Sequence, residues 1–91
     1  MNLHDKLTIP AQVMAREVGT ETVILELANG TYYGLDPVGA RIWQLMTEGQ
    51  TLTQVCDVML VEYEVTREDI ERDVLSLTQT LLERQLVSAG A

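Results

Sequence analysis

The carboxylates best spaced for chemistry are Asp69 and Asp73. They are four residues apart, so on a helix they share one face. Two such carboxylates can perform acid–base catalysis when a pocket separates their pKa values. Arg67 and Arg72 flank them, and Asp69 also suits the first turn of a helix, where acids are favoured by the helix dipole. The pattern therefore favours a solvated acidic face, or a docking surface for a basic peptide, over catalysis.

Gly34 and Gly39 have the outer spacing of a phosphate-binding loop. The two residues that follow are alanine and arginine, whereas a phosphate loop needs a lysine and then a serine or threonine. The lysine charge and the magnesium-binding hydroxyl are therefore missing. The spacing does not predict nucleotide binding.

Cys56 and His4 are the remaining candidates for catalysis or metal binding. Cys56 falls on the apolar stripe of a predicted helix, where a thiolate is disfavoured, so we predict a buried core residue. His4 lies near the N-terminus without recognisable ligand partners. The sequence thus predicts no catalytic residue, no metal site and no cofactor.

The charge balance limits the classes of partner. The chain of 91 residues has 14 acidic and 6 basic residues, for a net charge of −8. Such a surface repels nucleic acid and acidic membranes and favours either a basic partner or simple solubility. No signal peptide and no membrane span is recognisable, so we expect a cytoplasmic protein.

Three helices are predicted from their capping signals. The first runs from Pro37 to about Glu48, behind Asp36 as N-cap and ending at Gly49. The second begins at Thr51 and the third at Thr66, each with a capping-box pattern, and the third runs to about residue 85. The second and third helices resemble a DNA-binding helix-turn-helix in order. The third, however, starts with two arginines among four acids, which argues for a protein partner instead.

Three strands are predicted over residues 13–17, 22–28 and 31–35. Asn29-Gly30 is the signal for a two-residue type I′ hairpin, which would place Ala28 opposite Thr31 and Ile24 opposite Leu35. One sheet face then carries Val23, Leu25, Leu27 and Tyr32, and the other carries Ile24, Glu26, Tyr33 and Leu35. The sequence alone leaves open which face packs inward.

These elements predict an α+β fold of winged-helix character, in which a three-stranded antiparallel meander precedes three helices. Residues 1–10 are expected to form a flexible N-terminal arm, and residues 11–88 a single domain. The strand 31–35 would lie at the sheet edge and run directly into the first helix. An exposed edge beside a helical core is a surface to which another chain can add.

Two motifs carry a family resemblance. From Tyr32 to Gly49 the chain reads Y-Y-x-L-D-x-x-G-x-x-I-W-x-L-x-x-x-G, and from Asp69 to Leu77 it reads D-I-x-x-D-V-x-x-L. With these motifs the chain resembles the PqqD-like proteins, also called RiPP recognition elements, over roughly residues 13–87. A free-standing chain with this pattern is most similar to the small leader-binding proteins of lasso-peptide pathways.

The resemblance implies a non-catalytic peptide-binding module. Such a module holds the leader of a ribosomal precursor peptide by strand addition to the third strand and presents it to a modifying enzyme. In a lasso-type pathway the implied enzyme is a leader peptidase, with a cyclase as a further partner. In a PqqD-type pathway it is a radical SAM enzyme. A structural or regulatory homodimer through edge strands, without a peptide ligand, is the alternative from a different class.

The resemblance also places the groove between the third strand and the third helix. Leader-binding residues are then expected on both walls: Thr31, Tyr32, Tyr33 and Gly34 on the strand, and Asp69, Asp73, Ser76, Leu77 and Thr80 on the helix. The other flank of the helix, with Glu68, Leu75 and Gln79, remains an alternative wall.

Overall fold

A computed structural model describes residues 6–19 and 21–89 of the chain. It confirms the predicted α+β fold, in which an antiparallel sheet precedes three helices. The elements in chain order are β1 (Leu7–Thr8), β2 (Val13–Val18), β3 (Glu21–Glu26), β4 (Thr31–Leu35), α1 (Pro37–Thr47), α2 (Leu52–Glu62), α3 (Arg67–Glu83) and β5 (Ser88–Ala89). No helix in these residues is long and apolar enough to cross a membrane.

The three helices begin at the predicted caps. The Asp36 carboxylate accepts a hydrogen bond from the Gly39 N–H at 2.8 Å, and Pro37 occupies the first turn of α1. Thr51 and Gln54 form the complete capping box of α2. At α3, Thr66 accepts from the Asp69 N–H at 3.1 Å, but the Asp69 carboxylate accepts from Arg72 instead of completing a box.

The hairpin between β3 and β4 differs from the prediction. Leu25 pairs with Tyr32 and Ile24 with Tyr33, so the register is shifted by two residues and the loop has four residues, 27–30. Two side chains account for the longer loop. Glu26 accepts the Ala28 N–H at 2.7 Å and Asn29 accepts the Thr31 N–H at 2.9 Å. Since a type I′ turn needs positive φ at both central residues, Gly30 alone, with φ of 74°, cannot form one.

A shift of two residues leaves every side chain on its predicted face. The inward face carries Ile24 and Leu35, which are both buried, together with the partly buried Tyr33. These residues pack on a core built from all three helices, including Ile42, Met59 and Val74. The sheet face that packs on the helices is therefore the one with Ile24 and Leu35, which the sequence alone had left undecided.

Two short strands were not predicted. Leu7 and Thr8 pair with Ala89 and Ser88, so the two ends of the described chain form a small antiparallel sheet. Leu7 is buried in the core, although residues 1–10 were predicted as a flexible arm. Residues 7–8 of that arm are therefore part of the folded domain, through strand pairing and burial of Leu7. His4 lies outside the described residues, and the domain limits 11–88 remain a prediction.

Candidate functional site

Strand β4 lies at one edge of the three-stranded sheet. The strand order is β2-β3-β4, so among the described residues β4 pairs only with β3, and its other side faces away from the sheet. All five of its residues are uncharged. An uncharged edge strand with an unpaired side can accept a further strand.

A groove with a volume of about 330 Å³ lies between β4 and α3. Residues from the β4–α1 junction and from α1 complete it, among them Val38 and Ile42. The groove thus combines an edge strand with apolar and polar side chains that could contact alternate residues of an added strand. Its lining comprises Tyr33, Gly34, Leu35, Asp36, Val38, Gly39, Ile42, Asp73, Ser76, Leu77 and Thr80.

The start of α1 is packed tightly against this groove. A Cβ added to Gly39 would lie 3.3 Å from the Asp36 carboxylate oxygen and 3.4 Å from a methyl group of Leu35. A larger residue would therefore press on the cap that orients α1. These contacts explain the D-x-x-G part of the sequence motif. The Asp36 side chain caps α1, and Gly39 leaves room for the close packing beside that cap.

The structure brings together six of the nine predicted site residues. Tyr33 and Gly34 face Asp73, Ser76, Leu77 and Thr80 across the groove. The alternative flank of α3 does not contribute, since Glu68, Leu75 and Gln79 are absent from the lining among the described residues. A leader-binding role for these residues remains a prediction.

Thr31, Tyr32 and Asp69 do not line the groove. Tyr32 belongs to the outer face of the sheet, opposite Leu25, and its side chain is 71% exposed. It is on the edge strand, so an added strand could contact it from the outer side. The Asp69 carboxylate is engaged by Arg72 at 3.0 Å.

The acidic wall of α3 is partly neutralised at its start. Arg67 forms ion pairs with Asp57 and Glu71, and these two carboxylates raise its pKa. Arg72 is bonded to Asp69 and lies 4.0 Å from the Asp73 carboxylate. Both arginines of the predicted helix start are thus committed to neighbouring acids. This arrangement leaves little positive charge for a phosphate backbone.

One aromatic contact was not predicted. The guanidinium carbon of Arg84 lies 5.0 Å from the centroid of the Tyr33 ring, within the range of a cation–π interaction. Val38 and Ile42 were also absent from the predicted site, although both line the groove. The one sequence signal that could have placed Arg84 near the groove is its spacing of four residues from Thr80, which puts both on one helix face. Its contact with a strand residue depends on tertiary packing.

The predicted core role of Cys56 is confirmed. Its side chain is buried, and burial raises the pKa of the thiol. A thiol in this environment stays protonated at neutral pH and is a poor nucleophile. Within residues 6–19 and 21–89, no group of three or more histidine, cysteine or acidic side chains is placed to hold a metal ion.

A larger hollow, of about 500 Å³, lies against a different face of α1 from the groove. It is bounded by the β2–β3 turn and α1, and its lining mixes Arg16, Glu17 and Arg41 with Trp43 and Tyr63. Arg41 is bonded to Glu62 at 2.6 Å, and this contact lowers the pKa of the Glu62 carboxyl. The hollow borders the opposite edge strand, β2, and shares no lining residue with the groove.

Comparison with known protein families identifies one family. Residues 21–87 match the family described as coenzyme PQQ synthesis protein D, or PqqD. A search of the curated proteins found no match.

Two similar solved structures are complexes. The first is "TbiB1 in Complex with the TbiA(beta) Leader Peptide", with 37% identity and a TM-score of 0.85 over 92% of this chain and 98% of that one. The second is "Lasso peptide synthetase B1 complexed with the leader peptide", with 27% identity and a TM-score of 0.84 over 90% of this chain and 96% of that one.

Proposed function

The chain belongs to the PqqD family, and from that membership we propose that it is a non-catalytic module that binds the leader of a ribosomally made precursor peptide. The observation that carries the proposal is the groove between β4 and α3, in which an uncharged edge strand faces a wall of apolar and polar side chains. The two similar structures, which are both complexes with a leader peptide, support the same ligand class.

The proposed binding mode is strand addition to β4. Each backbone hydrogen bond to the edge would contribute about 0.5–1.5 kcal/mol net. Because any extended chain can make such bonds, they provide affinity without sequence choice. Leu77, Val38 and Tyr33 supply the apolar contacts that choice requires.

The role of the bound leader is to place the precursor beside an enzyme. Ordering a disordered leader costs about 2–5 kcal/mol, which the edge and the groove together must offset. Once bound, the precursor has a raised local concentration at any enzyme held nearby, without chemistry by the module itself. The buried Cys56 and the arginine-paired Asp69 fit this role better than a catalytic one.

The enzyme served is proposed to be the leader peptidase of a lasso-type pathway. Support comes from the likeness to a lasso peptide synthetase B1 protein. In an assay with a leader peptidase and the precursor peptide of such a pathway, omitting this chain should slow leader removal, and adding the chain back should restore the rate. Equal cleavage rates with and without the chain would contradict this assignment and turn attention to a radical SAM partner.

Leader binding itself is tested by fluorescence-polarisation titration. The probe is the labelled leader of the precursor peptide encoded nearest this gene, with a scrambled leader as control. The proposal predicts saturable binding at micromolar concentration or below, lost on scrambling. No binding up to roughly 100 µM, which is weaker than about −5.5 kcal/mol, would contradict it.

Self-association is a second candidate function, favoured by the outer sheet face. Met14 and Val18 on β2 and Tyr32 on β4 belong to this face and are 39%, 59% and 71% exposed. Leu27, in the loop that follows β3, is 55% exposed. Two copies could cover these side chains. Sedimentation at micromolar concentration distinguishes the candidates. A monomer that binds leader supports the module, whereas a tight dimer that excludes leader supports self-association.

A further inference from the structure

Arg84 places its own positive charge beside Tyr33, at one end of the groove. It caps the C-terminus of α3, where its N–H donates to the Thr80 carbonyl at 3.1 Å. Gln85 follows with φ of 60° and turns the chain away from the helix. The guanidinium is thereby directed toward β4 and lies 5.0 Å from the Tyr33 ring centroid.

The charge of Arg84 is not neutralised by the residues that the structure describes. Arg41, Arg67 and Arg72, the other helical arginines, are all paired with carboxylates. Arg84 forms no ion pair within the described ranges, although the chain has 14 acidic residues against 6 basic ones. A guanidinium stacked on a ring keeps its in-plane N–H donors available for a planar carboxylate.

The opposite end of the same helix face is acidic. Asp73, Thr80 and Arg84 are spaced i, i+7 and i+11, which places them on one side of α3. Eleven residues span about 16 Å along a helix. An added strand that runs alongside α3, at about 3.3 Å per residue, would cover that distance in about five residues. Since alternate residues of a strand share a face, groove-facing positions near the two ends are about four or six residues apart.

We propose that Arg84 and Tyr33 form a carboxylate-recognising subsite of the leader groove. The preferred leader carries Asp or Glu on the side chain that reaches Arg84. About four or six residues away it carries Lys or Arg facing Asp73, which is 58% exposed and held by Arg72 only at 4.0 Å. The inference rests on the proposed leader-binding function and specifies the charges that the preferred leader carries.

The test is a charge swap measured by fluorescence polarisation with the leader named above. Arg84→Glu should weaken binding at least tenfold, and one leader variant with a single acidic residue changed to lysine should restore most of the loss. Arg84→Gln, which removes the charge without inverting it, should give an intermediate loss. Arg16→Glu on β2 is the matched control, with the same net charge and an expected change below twofold.

The results distinguish failure of the proposed leader-binding function from failure of the Arg84–Tyr33 subsite alone. If the wild-type chain does not bind the leader, the proposed function and this subsite both fail. If the wild type binds but Arg84→Glu binds equally well, or Arg16→Glu loses as much, only the subsite is overturned. The same holds if no lysine-substituted leader restores binding to Arg84→Glu. Melting temperatures of all three variants confirm that the chain still folds.

Discussion

The two edge strands of the sheet differ in charge and in surroundings. β2 has Arg16 and Glu17 near its centre, whereas β4 has no charged residue. Charges on an edge strand discourage another strand from adding to it, so β2 is protected and β4 is open. β4 also faces α3 across the groove, while β2 borders the hollow with mixed charges.

This difference between the two edges predicts that leader binding depends on β4 and not on β2. An open edge alone would accept any extended chain, including another copy of this protein. The α3 wall adds side chains on one side of the edge, which can select one peptide sequence. Variants on the β4 side should therefore change leader affinity, and variants on the β2 side should not.

The largest expected effect is at the apolar anchors of the groove. Tyr33→Ala or Leu77→Ala should weaken leader binding by about 1–3 kcal/mol, as expected for a truncated interface anchor. Fluorescence polarisation gives the affinities, and melting temperatures show that the variants fold, since both residues also pack against the core. Val18→Ala on β2 is the control. Normal affinity in both folded groove variants would rule out the proposed groove.

A smaller effect is expected at Gly34, where an added strand would approach the β4 backbone. A Cβ at this position meets nothing within 4 Å, so Gly34→Ala should fold normally. Its melting temperature should be unchanged or higher, because alanine restricts the unfolded chain. Gly34 is opposite Val23, so the methyl group would lie on the outer sheet face, next to the side chain that an added strand places beside it there. We therefore expect a severalfold loss of leader affinity in the same titration. Unchanged affinity would show that the leader does not pass close to Gly34.

The capping and spacing signals predicted the elements well, but side chains at the hairpin changed its register. Thr51, Thr66 and Asp36 mark the helix starts in both sequence and structure. The hairpin prediction failed because Glu26 and Asn29 bind loop amides and stabilise a longer turn. The family resemblance placed the groove between the third strand and the third helix, and helical spacing aligned Asp73 with Leu77 on that helix. The contact of Arg84 with Tyr33 depends on packing between distant segments, which periodicity does not encode.

The ion pair between α1 and α2 should affect stability without affecting binding. Arg41 lowers the pKa of the Glu62 carboxyl, so the pair stabilises the fold above the unfolded-state pKa of Glu, about 4.3. This stabilisation is lost as the pH falls through the lower folded-state pKa. Glu62→Gln should therefore have a slightly lower melting temperature than wild type at pH 7, and the gap should narrow below pH 4. A gap that is independent of pH would contradict this explanation, and leader affinity at pH 7 should not change.

The smallest effect is expected from removing the charges on β2. The double variant Arg16→Ala/Glu17→Ala should bind leader within twofold of wild type, because β2 is on the far side of the sheet from the groove. Its solution mass is the more informative readout, since an uncharged β2 edge should self-associate more readily. A large loss of leader affinity would show that β2, not β4, is the binding edge.

Amide hydrogen exchange, followed by NMR with and without the leader, tests the central claim most directly. Addition of a strand to β4 predicts that leader binding slows exchange of outward-facing amides in Thr31–Leu35 while Val13–Val18 of β2 are unchanged. Saturable leader binding with protection in β2 instead of β4, or with no new protection in either strand, would contradict strand addition to β4.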